Sequence, residues 1–73
     1  MGNIRKVITV SINGELRQLP AKTTVATLIE VMGLAGKRVA LERNGEIVPR
    51  STFVTQQLSA DDKLEVVVAV GGG

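Results

Sequence analysis

The sequence predicts an α+β fold in which one mixed sheet of four or five strands packs on a single helix. Three observations carry that expectation. Two Asn-Gly pairs, Asn13-Gly14 and Asn44-Gly45, each sit between short apolar stretches, as the tight turn of a β-hairpin does. Between them lies one stretch of helical period, with Val25, Leu28, Ile29 and Met32 at i, i+3, i+4 and i+7. The stretch before the closing glycines, residues 64–70, is a nearly unbroken apolar run containing four valines.

Taken in order, Ile8, Val10 and Ile12 alternate with Thr9 and Ser11, the period of a half-buried strand. Asn13-Gly14 then tolerates the positive φ angles of a type I′ turn. Leu16 and Leu19 follow at a spacing of three, which breaks strict alternation; a bulge or a looser turn would reconcile them, and the register stays open. Pro20, Ala21 and Lys22 end the hairpin. Thr24 is placed to cap a helix over the apolar stripe, and Gly33 to close it in the left-handed C′ conformation. At about two and a half turns such a helix does not hold alone in water, so it needs a sheet to pack on.

Residues 39–43 read as a second buried strand, followed by the Asn44-Gly45 turn and a short apolar return, Ile47-Val48, that stops at Pro49. Residues 51–58 have no clean period, and a helical turn is expected around Phe53 and Val54. Asp61, Asp62 and Lys63 form a polar turn in which the two carboxylates are expected to be solvated. The final run has the composition of a central strand, paired on both edges and covered on at least one face. The order ββαβ(β)β, two hairpin-like units separated by one helix, points to the β-grasp (ubiquitin-like) arrangement, with the first and last strands parallel in the middle. A plain antiparallel meander ranks second, because it leaves the helix no place. Residues 1–70 then form the domain and residues 71–73 a flexible glycine tail.

Composition narrows the chemistry. In 73 residues there is no cysteine and no histidine, and Phe53 is the only aromatic. The fold must stand on aliphatic packing, without disulfides or a zinc site of cysteine or histidine ligands. A Ser-His-Asp triad and a thiol nucleophile are excluded, and the seven carboxylates are scattered apart from Asp61-Asp62. These absences argue against an enzyme. Nine positive and seven negative side chains leave a net charge of +2 with no basic run and no aromatic platform for bases, so nucleic acid is not the expected partner. Nor is a membrane, since no apolar stretch approaches the roughly 18 residues of a span. A cytoplasmic protein is expected. Arg43 and Arg50 flank the second Asn-Gly turn and read as solvated charges, a partner's acidic rim being the alternative. Phe53 reads as core. Val68 and Val70 are candidates for an apolar patch beside the tail, on a face the sequence does not assign.

The tail carries the functional expectation. A frayed glycine end is one reading of Gly71-Gly72-Gly73. The other is that three residues without β-carbons form a thin thread able to enter a narrow channel, with Val70, Gly71 and Gly72 contacting a partner there. The α-carboxylate of Gly73 is then unhindered, and in a chain without thiols it is the one group that can carry sulfur as an acyl species. A carboxylate is a poor acyl donor, so activation must come from outside, most simply as a mixed anhydride with AMP that a sulfur nucleophile then displaces.

The segment Val39-Ala40-Leu41-Glu42-Arg43-Asn44-Gly45-Glu46-Ile47-Val48-Pro49-Arg50, the Asn13-Gly14 turn, the Thr24-Val25 helix start and the Val70-Gly71-Gly72-Gly73 ending together resemble the ThiS family of thiamine-biosynthesis sulfur carriers. The similarity runs from Val7 onward. Phe53, where the family often has Trp, and Asp61-Asp62, where a Gly commonly stands between acidic residues, depart from the pattern. The resemblance implies a cytosolic β-grasp carrier that binds no cofactor of its own. Its terminal glycine, matched here by Gly73, is adenylated by a ThiF-type (E1-like) adenylyltransferase using ATP and Mg, while Gly72 matches the other half of the diglycine. A cysteine desulfurase relay supplies sulfur, and the thiocarboxylate serves a ThiG-type thiazole synthase. The alternatives are a carrier of the molybdopterin synthase small-subunit type, a ubiquitin-like modifier joined to lysines, and a β-grasp binding module in which the glycines are incidental.

Overall fold

A computed structural model describes residues 6–69. It contains strands β1 (Val7–Ile12) and β2 (Glu15–Pro20), helix α1 (Val25–Val31), strands β3 (Val39–Arg43) and β4 (Glu46–Ile47), a 3₁₀ turn at Arg50–Thr52, and strand β5 (Lys63–Val68). The sheet order is β2-β1-β5-β3-β4, with β1 and β5 parallel and the other neighbours antiparallel. This is the expected β-grasp order, with the last strand at the centre. No helix among the described residues is long and apolar enough to cross a membrane.

Both turns have the type I′ signature, with φ of 51° and 87° at Asn13-Gly14 and 52° and 87° at Asn44-Gly45. The β1–β2 register runs from Ile12 opposite Glu15 to Val7 opposite Pro20 with no extra residue. No bulge is needed to accommodate the two leucines. Leu19, opposite Ile8, is buried, whereas Leu16, opposite Ser11, stands on the other face at 79% exposure. A spacing of three simply puts one leucine on each face of the strand.

Helix α1 is capped at both ends as its sequence implies. Thr24 Oγ1 accepts from the Thr27 N–H at 3.2 Å. The carbonyls of Gln56 and Phe53 take the N–H groups of Val25 (3.0 Å) and Ala26 (2.9 Å), so the unpatterned 51–58 segment, folded around its 3₁₀ turn, satisfies the first turn of the helix. At the other end Gly33 has φ 76°, its N–H donates to the Glu30 carbonyl and the Leu34 N–H to the Ile29 carbonyl, a Schellman closure. Val25, Leu28 and Ile29 are buried against Val10, Ile12, Leu41, Leu64 and Val66 of the sheet, with Met32 and Phe53 partly buried at the margin.

Two sequence expectations are overturned at the turn before β5. Asp62 is not solvated: it is 5% exposed and accepts from the Ser59 N–H (2.8 Å) and Asn44 Nδ2 (3.1 Å). Arg43 is not a free surface charge either, since its Nε lies 2.9 Å from Asp62 Oδ2. The cause is the path of the chain. The Asp61 N–H donates to the Thr9 carbonyl at 2.8 Å, which draws the turn across the end of the sheet and leaves Asp61 exposed while Asp62 points inward. Lys22 is exposed with φ 72°, a conformation that costs an L-residue with a long side chain about 1 kcal/mol or more and glycine almost nothing. Lys22→Gly is expected to stabilise the domain by about 0.5 kcal/mol after its greater unfolded-state entropy is subtracted, read as a rise in Tm of about 2–4 °C.

Candidate functional site

The predicted site residues Val70, Gly71, Gly72 and Gly73 lie outside the described residues. What the fold defines is the base from which they depart. The last described tie is the Ala69 N–H, which donates to the Arg38 carbonyl at 2.9 Å, one step past the end of β5. β1 pairs with the start of β5, at Lys63 and Leu64, while β3 pairs along its length to Val68, so the base is held on the β3 side.

The surface around it follows from register. Leu64 and Val66 point to the core, so Glu65 and Val67 face the side of the sheet opposite α1. Ala40 on β3 stands opposite Val67, and Ile47 on β4 stands opposite Glu42, on the same outer face. Val67 is 62% and Ile47 64% exposed, an apolar strip across three strands beside the tail base. The edge of this strip drops into an open groove of about 430 Å³ lined by Arg38, Ala40, Ile47, Pro49, Arg50, Phe53 and Ala69 among others, with two guanidinium groups and no carboxylate among its walls. A smaller groove of about 280 Å³ on the helix side shares Arg50 and Phe53 and adds Lys37 and Glu30, so its charges are mixed. The outer face beside the tail base thus exposes Val67, Ala40 and Ile47 with Glu42 and Glu65 next to them, and the larger groove carries Arg38 and Arg50.

Of the residues singled out from sequence, Arg50 and Phe53 line this groove, Phe53 while also packing on the core. Val68 lies beside the tail base but on the helix side, opposite Val39, and is only marginally exposed. Arg43 is absent from the site, because antiparallel β3 carries it to the far end of β5, opposite Leu64. Val67, Ala40, Ile47 and Arg38 were missed. The signal was the alternation within residues 63–68, which becomes readable only once Leu64 and Val66 are known to face inward. Among the described residues no cluster of three acidic side chains is placed to hold a metal ion. The arrangement leaves an exposed apolar surface with two arginines beside the point where the described chain leaves the sheet.

The ThiS family matches this chain over residues 10–73. A thiazole synthase of Paramagnetospirillum magneticum is 45% identical over 62 residues, covering 85% of this chain and 19% of that protein. The chain thus spans about a fifth of the length of that relative. The uncharacterized protein ycf40 of Pyropia yezoensis is 34% identical over 70 residues, covering 96% of this chain and 99% of the other. Among solved structures, that of a thiamine biosynthesis protein (ThiS) from Geobacter metallireducens superposes with a TM-score of 0.76 at 25% identity, covering 90% of this chain and all of that one.

Proposed function

The chain belongs to the ThiS family, and from that membership we propose that it is a sulfur carrier of thiamine biosynthesis, acted on by enzymes through its Gly72-Gly73 end rather than being an enzyme itself. One observation supports the reading: the family match runs through residue 73, so the glycines fall within the matched region. The fold supports it by setting the tail at the end of the central strand.

In the proposed cycle a ThiF-type adenylyltransferase binds MgATP in its own site and the carboxylate of Gly73 attacks the α-phosphorus, releasing pyrophosphate. The acyl adenylate then meets a sulfur nucleophile. With sulfide as the nucleophile the carbon–sulfur bond forms as the carbon–oxygen bond to AMP breaks, and a thiocarboxylate remains on Gly73. With a persulfide the same displacement leaves an acyl disulfide, from which a second thiol releases the thiocarboxylate while itself forming a disulfide with the donor's sulfur. Within the cell a cysteine desulfurase relay provides that sulfur, and a ThiG-type thiazole synthase consumes it. The similarity to a segment of a thiazole synthase supports this last partner, because joining carrier and acceptor in one chain raises their effective concentration without any new contact. The chain's own contribution is a slender end that fits a narrow channel and an apolar shoulder, with Arg38 and Arg50 in its groove, that docks beside it.

Intact-mass measurement tests the proposal. The purified chain should have the mass of a polypeptide ending at Gly73, and incubation with a ThiF-type enzyme, MgATP and sulfide should add about 16 Da, one oxygen replaced by sulfur. An unchanged mass rejects the carrier reading, and a stable adduct to protein lysines would favour a modifier. The docking shoulder has its own test. Val67→Glu together with Ile47→Glu should weaken binding to the adenylyltransferase by about tenfold or more, with Tm nearly unchanged because both positions are exposed.

A further inference from the structure

The two Asn-Gly turns do more than reverse the chain. Asn13 Oδ1 accepts from the Val66 N–H at 2.8 Å and its Nδ2 donates to the Val66 carbonyl at 3.2 Å. Asn44 Oδ1 accepts from the Lys63 N–H at 2.9 Å and its Nδ2 donates to Asp62 Oδ1 at 3.1 Å, while its backbone N–H donates to the Lys63 carbonyl at 2.8 Å. Asn13 thus clasps β5 with both of its polar atoms, while Asn44 holds the first residue of β5 with one and the Asp62 carboxylate of the preceding turn with the other.

Asn-Gly is also the dipeptide most open to spontaneous deamidation, since glycine has no side chain to shield its nitrogen. That nitrogen attacks the asparagine Cγ, a C–N bond forms, and the side-chain nitrogen leaves as ammonia, taking up the proton lost from the glycine nitrogen. Water then opens the resulting succinimide at either carbonyl, giving aspartate or isoaspartate. Attack requires Cγ to swing onto the following nitrogen. For Asn44 this breaks both side-chain hydrogen bonds, so the reaction must proceed from opened forms of the chain.

The consequences at the two turns differ. At Asn13 the new carboxylate would meet a neutral peptide carbonyl. At Asn44 it would replace the donor that faces the buried Asp62 carboxylate, putting two like charges at hydrogen-bonding distance. Arg43 offers little relief, because its Nε already pairs with Asp62 and its other arm reaches Ser59 Oγ at 3.3 Å. We propose that Asn44 is a deamidation site, shielded in the folded chain, at which modification makes a transient opening of the β3–β4 turn an irreversible loss of the fold. This site is independent of the carrier chemistry at the tail.

The full chain is held at mildly alkaline pH, folded and in denaturing urea, and followed by intact mass and peptide mapping. In urea both asparagines should gain about 1 Da, whereas in the folded chain the gain at Asn44 should be slower by at least about tenfold. Equal rates overturn the shielding. Asn44→Asp should lower Tm by about 10 °C or more, or leave the chain unfolded, with a smaller loss for Asn13→Asp. An Asn44→Asp loss no greater than that of Asn13→Asp overturns the consequence. Because Asn44→Asp risks not folding, the exchange Asn44→Asp with Asp62→Asn restores a donor facing a carboxylate. A loss in the double variant smaller than the sum of the Asn44→Asp and Asp62→Asn losses supports the repulsion, and an additive loss refutes it.

Discussion

A chain cut after Gly71 should form no thiocarboxylate at all, yet melt within about 3 °C of the intact protein. The two halves of this expectation have separate causes. The described hydrogen bonds and the described core side chains lie within residues 6–69, ending with the Ala69 N–H to the Arg38 carbonyl, and the cut spares all of them. The chemistry is lost because reach is lost. Two residues of extended chain span about 7 Å, and a misplacement of even about 1 Å can cost a reacting group on the order of a hundredfold. The new terminal carboxylate, on Gly71, would be chemically identical to the old one but held short of the partner's reaction centre. Intact mass after incubation with the adenylyltransferase, MgATP and sulfide reads the first half, and thermal melting the second. A truncated chain that still gains about 16 Da would remove Gly73 from the mechanism.

Asp62→Ala is expected to destabilise the domain by about 3 kcal/mol, a fall in Tm on the order of 15 °C. The carboxylate holds three groups at once: Arg43 Nε at 2.9 Å, Asn44 Nδ2 at 3.1 Å and the Ser59 N–H at 2.8 Å. Truncation leaves all three short of a partner. The penalty sits at the lower end for breaking a buried pair because the Arg43 side chain keeps 19% exposure and can recover some hydration. Asp62→Asn should fall in between, since an amide oxygen still accepts one hydrogen bond but offers Arg43 no charge. Thermal or urea melts of the two variants order them directly. A loss below about 1 kcal/mol for Asp62→Ala would mean that water replaces the carboxylate at little cost.

The elements themselves were legible because they obey local rules. Asn-Gly imposes its turn, Thr24 and Gly33 sit at the ends of one apolar stripe, and the valine-rich run reads as a central strand. These features depend on residues at most a few positions apart. The hairpin register was less legible, because the spacing of three between Leu16 and Leu19 leaves a bulge or looser turn open, and only the unbulged pairing shows Leu19 inward and Leu16 outward.

Sequence by itself therefore determined the strand and helix order, both type I′ turns, both helix caps and the expectation that the terminal glycines react. Only tertiary structure decided which side of β5 carries the exposed apolar strip, that Asp62 is buried on Arg43, and that each turn asparagine reaches β5. Those contacts join residues 19 positions apart in the case of Arg43 and Asp62, and 53 apart in the case of Asn13 and Val66. No periodicity reports such a pairing. It exists because hydrophobic burial of one sheet face against α1 lays β5 between β1 and β3, and that placement alone brings a turn amide or a guanidinium to the strand it holds.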